Sequence, residues 1–185
     1  MKALFFLYDG YVDWEISPLA YIFSETDVTI ETAGHTEEIR HSGQFVIRVD
    51  HNINNCDVDD YDMLVIPGGD PEPLIGDEAL RTLIRSFHDK NKRIAAICGA
   101  SALLGMSGVL EDREYSTSLE SEEFPDYLPE VGRSKTDVTV SGNVITAEGN
   151  AYIEFAVAVA KEAGLFRDRE DELETVLFFK NQLRA

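Results

Sequence analysis

Cysteine is scarce. Cys56 and Cys98 are the only two among 185 residues, and no CxxC pair or Cys/His cluster accompanies them. That excludes a disulfide-stapled secreted scaffold and a structural zinc site, so a reducing compartment is expected. No apolar run approaches the ~20 residues of a membrane span. The opening stretch Met1 to Asp9 has one cation and is shorter than a signal-peptide core, so the expected location is cytoplasmic. Basic residues are few: 16 Lys and Arg face 35 Asp and Glu, a formal charge of -19. Such a surface repels phosphate backbones and anionic bilayers, so neither nucleic acid nor membrane is expected as a partner. The acid excess reads as solubility rather than adaptation to a salty cytoplasm, and it says nothing of the reaction. There is no repeat, low-complexity stretch or Pro/Ser-rich linker, which predicts one domain over residues 1–185. No GxGxxG or phosphate loop follows the first apolar run, and neither a cofactor nor a metal is expected.

The chain has 44% hydrophobic residues, arranged in short apolar runs alternating with helical patterns. Lys2–Tyr8, Met63–Ile66 and Arg93–Ile97 read as buried strands, and Val28–Thr32 as a β-branched one. Ile39–Val49, with Ser42-Gly43 inside it, predicts a hairpin, as do 138–140 and 144–147 around Ser141-Gly142-Asn143. Helical spacing covers Trp14 to Phe23, Asp77 to Asp89, Gly99 to Met106 and Ala151 to Ala163. An amphipathic helix is predicted from Asp168 to Gln182. Apolar strands alternating with helices predict an α/β fold whose mostly parallel sheet is covered on both faces. Ligands in such sheets bind beyond the carboxyl ends of the strands. The segments Asp9–Glu15, Pro67–Asp70 and Cys98–Ser101 are therefore the expected walls of one site.

Cys98 ends a buried strand and opens a helix within Ala96-Ile97-Cys98-Gly99-Ala100-Ser101. A side chain on such a sharp turn is pushed out of the sheet, and the helix start is expected to lower its pKa and offer N–H groups to an oxyanion. A buried structural cysteine is the competing account. A half-buried Glu15 facing that thiol would have a raised pKa and could donate a hydrogen bond to sulfur. Taken alone, an ordinary surface glutamate explains it more simply. Pro67-Gly68-Gly69-Asp70 could present bare N–H groups, or be a plain turn. His35, His41, His51 and His88 all precede Cys98 and show no helical metal spacing, so each reads as a solvated loop residue. Cys56 reads as a thiol in an acidic loop, its pKa raised and its reactivity blunted.

The stretches Tyr8-Asp9-Gly10-Tyr11-Val12-Asp13-Trp14-Glu15, Val65-Ile66-Pro67-Gly68-Gly69-Asp70 and Ala95-Ala96-Ile97-Cys98-Gly99-Ala100 together resemble the ThiJ/PfpI family of the class I glutamine amidotransferase-like superfamily. The parkinsonism-associated deglycase belongs to that family, and the bacterial subgroup of intracellular proteases or amidases is the nearest in pattern. Val144–Asn150 followed by Ile153-Glu154-Phe155 looks like the family's closing strand and helix. The resemblance implies a flavodoxin-like three-layer sandwich with a nucleophile elbow, usually a homodimer. It makes Cys98 the nucleophile, Glu15 its protonated partner, and the N–H groups of Gly69 and Gly99 the oxyanion donors. Many family enzymes place a histidine some twenty residues after the cysteine. Here Arg113–Leu119 holds none, and Tyr115 or Ser118 stands at that place. A small electrophilic carbonyl or amide is the implied substrate, through glyoxalase-like, deglycase-like or amidase-like chemistry. Proteolysis fits least. The alternative is a redox sensor or stress-response protein that uses Cys98 oxidation.

Overall fold

The computed structural model describes residues 1–120 and 122–183. In chain order its elements are β1 (Lys2–Phe6), α1 (Ser17–Ser24), β2 (Thr29–Gly34), β3 (Glu38–Arg40), β4 (Val46–Arg48), β5 (His51–Asn52), β6 (Met63–Ile66), α2 (Glu78–Asp89), β7 (Arg93–Ile97), α3 (Ala100–Met106), β8 (Val138–Ser141), β9 (Val144–Ala147), α4 (Tyr152–Glu162) and α5 (Arg169–Phe179). The main sheet has the order β5-β2-β1-β6-β7-β9-β8, and β3 and β4 form a separate antiparallel pair. Every neighbouring pair of the main sheet is parallel except β8 with β9. The five strands β2-β1-β6-β7-β9 reproduce the flavodoxin-like order 2-1-3-4-5, and the order reverses between β1 and β6.

The central strands are apolar throughout because both faces are covered. All of β6 and β9 is buried, and so is β7 after Arg93. Helices α1 and α4 pack together on one face, and α2 and α3 on the other. Asp77 caps α2, its carboxylate accepting from the N–H groups of Ala79 and Leu80 at 3.0 and 3.1 Å. Among the described residues no helix is long and apolar enough to cross a membrane.

The structure corrects three expectations. The first helix starts only at Ser17, with Pro18 in its opening turn where a missing N–H costs nothing. Asp13–Glu15 form a separate 3-10 turn. Helix α5 is not amphipathic and buries no residue, because its polarity runs along its axis: Glu170, Asp171, Glu172 and Glu174 crowd the first half and Val176 to Phe179 the second. Of the histidines, His35 is an exposed loop residue as expected, but the other three are not. His41 is buried between the rings of Tyr11 and Phe45, with Nδ1 3.0 Å from both Asp13 Oδ1 and the Gly43 N–H. His35 bonds Asp77, His51 bonds Glu31 at 2.8 Å, and His88, on α2, meets Arg113.

Candidate active site

Four parallel strands deliver their carboxyl ends to one place. The chain leaving β1 carries Glu15, the β6 exit carries Gly68 and Gly69, β7 ends at Cys98, and β9 leads to Gly149. Cys98 holds a left-handed backbone, φ +60°, between strand and helix. A non-glycine residue seldom adopts that conformation, and its cost is carried by the surrounding structure. The Cys98 N–H donates to Ala147 O at 2.8 Å, which anchors the turn to β9.

Glu15 is only 1% exposed, which removes the surface-glutamate account. Its Oε2 accepts the Gly68 N–H at 2.8 Å, and its carboxyl lies within hydrogen-bonding reach of the Cys98 thiol. Burial pushes the Glu15 pKa up, against the pull of the thiol and of Gly68 N–H. The expected lowering of the Cys98 pKa is not met. Burial pushes the thiol up first and the Glu15 charge second, while Ser118 and the Gly99 N–H pull it back. Helix α3 has only seven residues, so its dipole is outweighed by the loss of water around sulfur. The Glu15 charge thus opposes the thiolate, while the thiol favours the Glu15 carboxylate.

Two glycines make that contact possible. A Cβ on Gly68 would collide with Glu15 Oε2 and stand 2.5 Å from Cys98 Cβ. One on Gly149 would lie 2.7 Å from Glu15 Oε1 and 3.2 Å from Cys98 Sγ. Gly99 and Gly69 also lie back to back, for a Cβ on Gly99 would strike Gly69 O. The Gly99 N–H draws the Cys98 pKa down, and among the described residues neither it nor the Gly69 N–H is bonded to another acceptor.

Of the two residues at the histidine's place, the structure brings Ser118 to the thiol. Ser118 stands near Cys98 and draws its pKa down, and its Oγ accepts the Gly149 N–H at 2.7 Å. Tyr115 is fully buried, and its hydroxyl donates to Pro129 O at 2.8 Å. Cys56 lies elsewhere, beside Tyr61 and Glu31. Its pKa is raised, by burial first and the Glu31 charge second.

Sequence reasoning missed three contributors. Gly68 and Gly149 stand inside quoted motifs, but only the closeness of the four strand ends shows what a side chain there would strike. Tyr8, just beyond β1, is buried beside the pair and donates to Pro67 O at 3.1 Å. Its phenol is held protonated by burial and by the charges of Glu15, Cys98 and Asp70. Trp14 could be singled out from sequence as Glu15's neighbour. It is half exposed and meets Tyr152 edge to face at 5.1 Å. A cavity of about 620 Å³ lies away from this chemistry, between α1 and α5. Among the described residues no group of three or more His, Cys, Asp or Glu could hold a metal ion.

The DJ-1/PfpI family model matches residues 1–162. A Bacillus subtilis protein named an uncharacterized protease is 27% identical over 183 residues, covering 89% of this chain and 84% of the relative. A protein of Thermococcus kodakarensis named a deglycase is 28% identical, covering 82% of this chain and 93% of its own. The crystal structure of a DJ-1 superfamily protein from Agrobacterium tumefaciens superposes with a TM-score of 0.87 at 29% identity, covering 98% of both chains.

Proposed function

The chain belongs to the DJ-1/PfpI family, and from that premise we propose a cysteine-dependent enzyme that converts small reactive aldehydes, with Cys98 as nucleophile. One observation carries the reading: a strained cysteine at φ +60° faces a buried carboxyl whose pKa is raised. Glu15 receives the thiol proton as sulfur bonds to the aldehyde carbon of a 2-oxoaldehyde. The carbonyl electron pair moves onto oxygen, where the N–H groups of Gly69 and Gly99 receive it, and Glu15 returns the proton to complete a hemithioacetal. Moving the C1 hydrogen to C2 as a proton, through an enediolate, gives a thioester. Water hydrolyses it to a 2-hydroxy acid and frees the thiol. The sum is one water added, with no outside oxidant.

Ser118 explains why an aldehyde fits better than an amide. A hydroxyl can hold sulfur in place, but it is a poor acid for an amine leaving group, which proteolysis demands. The same proposal includes a homodimer built from single-domain subunits, in line with the family. Sedimentation measures the mass, and one calorimetric transition checks the domain.

The test is production of lactate from methylglyoxal, followed by proton NMR. Turnover that disappears in Cys98→Ser supports the reading. A stoichiometric adduct without lactate overturns it. Peroxide oxidation of Cys98 without turnover would move the site to the redox-sensing role.

A further inference from the structure

Ser118 comes to the thiol from a segment outside the named strands. Its backbone is paired at Tyr115, whose N–H donates to Gly132 O at 2.9 Å and whose carbonyl accepts the Ser134 N–H at 2.7 Å. Past Tyr115, buried hydroxyls hold the segment. Ser116 Oγ is 2.8 Å from Thr139 Oγ1, and the Ser116 N–H donates to Thr146 Oγ1 at 2.9 Å. The next residue, Thr117, faces the elbow. Its Oγ1 is 2.6 Å from Ser101 Oγ and accepts the Leu119 N–H at 3.1 Å. Both hydroxyls converge on the carbonyl oxygen of Cys98, Ser101 at 3.0 Å and Thr117 at 3.5 Å. Ser101 is 1% exposed and Thr117 6%. Two hydroxyls carry two protons. One is spent between them, and the other is left for the Cys98 carbonyl.

That carbonyl shares a rigid peptide plane with the Gly99 N–H, and in a trans peptide the two point in opposite directions. Fixing the oxygen therefore aims the N–H. We infer that Ser101 and Thr117 are positioning residues: their paired hydroxyls lock the Cys98–Gly99 peptide so that the Gly99 N–H faces sulfur and the developing oxyanion, and they tie that peptide to the segment holding Ser118. The inference rests on the reading of Cys98 as nucleophile, but its primary readout does not require turnover.

In a Cys56→Ser background, the Cys98 pKa is measured from thiolate ultraviolet absorbance for the parent, Thr117→Val, Thr117→Ser and Ser101→Ala. Without the hydroxyl pair the Cys98 carbonyl keeps, among the described residues, only the long contact with the Ser101 N–H at 3.4 Å. The peptide plane can then tilt, and the thiolate's donor is weakened. Thr117→Val and Ser101→Ala should therefore raise the pKa by about one unit, roughly tenfold less thiolate at fixed pH. Thr117→Ser keeps a hydroxyl and should titrate like the parent. If methylglyoxal is turned over, kcat falls in the first two variants while KM holds within about twofold. A Thr117→Val thiol that titrates like the parent overturns the inference, as does Thr117→Ser shifting equally, which would make the role one of shape. Should Thr117→Val not fold, Ser101→Ala decides alone by the same criterion. A parent without turnover removes the proposed function, yet the pKa difference still decides this point.

Discussion

The molecule holds two half-buried cysteines, each beside a glutamate, and the pairs differ in what the glutamate does. Both thiols have their pKa raised by burial first and by the neighbouring glutamate's charge second. Glu15, beside Cys98, has no ion-pair partner among the described residues, and burial raises its own pKa so that it can hold and return a proton. Glu31, beside Cys56, is bonded to Lys2 at 2.6 Å, to Tyr61 at 2.7 Å and to His51 at 2.8 Å, and its pKa is lowered to about 2. It stays charged, accepts only, and repels a thiolate. The backbones differ as well, left-handed at Cys98 but extended at Cys56, with φ -82°. A cysteine next to an acid is thus no signature of reactivity by itself. On the proposed reading, the acid's protonation state and the cysteine's backbone make the distinction.

The comparison breaks first at sulfur. Cys98→Ser should lower methylglyoxal turnover by about 100-fold or more, and Cys56→Ser should leave it within about twofold. Equal losses would mean the two thiols are not functionally distinct. Next comes the cradle. Gly149→Ala pushes a methyl between Glu15 and Cys98 Sγ, so alkylation of Cys98 at neutral pH should slow by roughly tenfold, with about 1–3 kcal/mol of stability lost by denaturant titration. Cys56 alkylation in the same sample is the internal control and should not change.

Glu15→Gln tests the partner itself. The amide keeps the shape, cannot take the thiol proton and carries no charge, so the fold should survive while the pH profile of Cys98 alkylation loses its coupled titration. A profile superposing on the parent's would show that the carboxyl and thiol do not communicate. The smallest effect is expected from Glu31→Gln, which removes the charge beside Cys56 and should lower that thiol's apparent pKa. It also tests the sign of a stability effect. Glu31 has a folded-state pKa below its ordinary value of 4.5, so its contribution is present above that value and fades as pH falls towards about 2. The parent should lose stability across that window in acid melts, and Glu31→Gln should lose less.

The strand ends were legible in the sequence because a parallel sheet covered on both faces requires short continuous apolar runs, and each run stops at a residue that bends the chain. Asp9-Gly10, Pro67-Gly68-Gly69 and Cys98-Gly99 are those stops. The family pattern could then be laid on them residue by residue. Contacts between distant segments were not legible. Glu15 is buried because Gly68 and Gly149 come from strands more than fifty residues away. The thiol pKa follows the resulting loss of water, which a local reading of the helix start omits. Choosing between Tyr115 and Ser118 was equally out of reach, since residues 115–117 are all buried and no alternation marks the face. His41 shows the same limit: a hairpin that looks polar folds its histidine under Phe45.

The borders of the main sheet carry a consequence of a different kind. One border strand, β5, has two residues, and the other, β8, has four. The Ser141 carbonyl of β8 is already taken by the Arg113 guanidinium. At β5 a strand from another copy would find too short a template to extend the hydrogen-bond ladder, and at β8 one carbonyl is already engaged. Copies carrying nineteen net negative charges also approach one another at an electrostatic cost. The fold can therefore be kept at high concentration with little tendency to polymerise edge to edge.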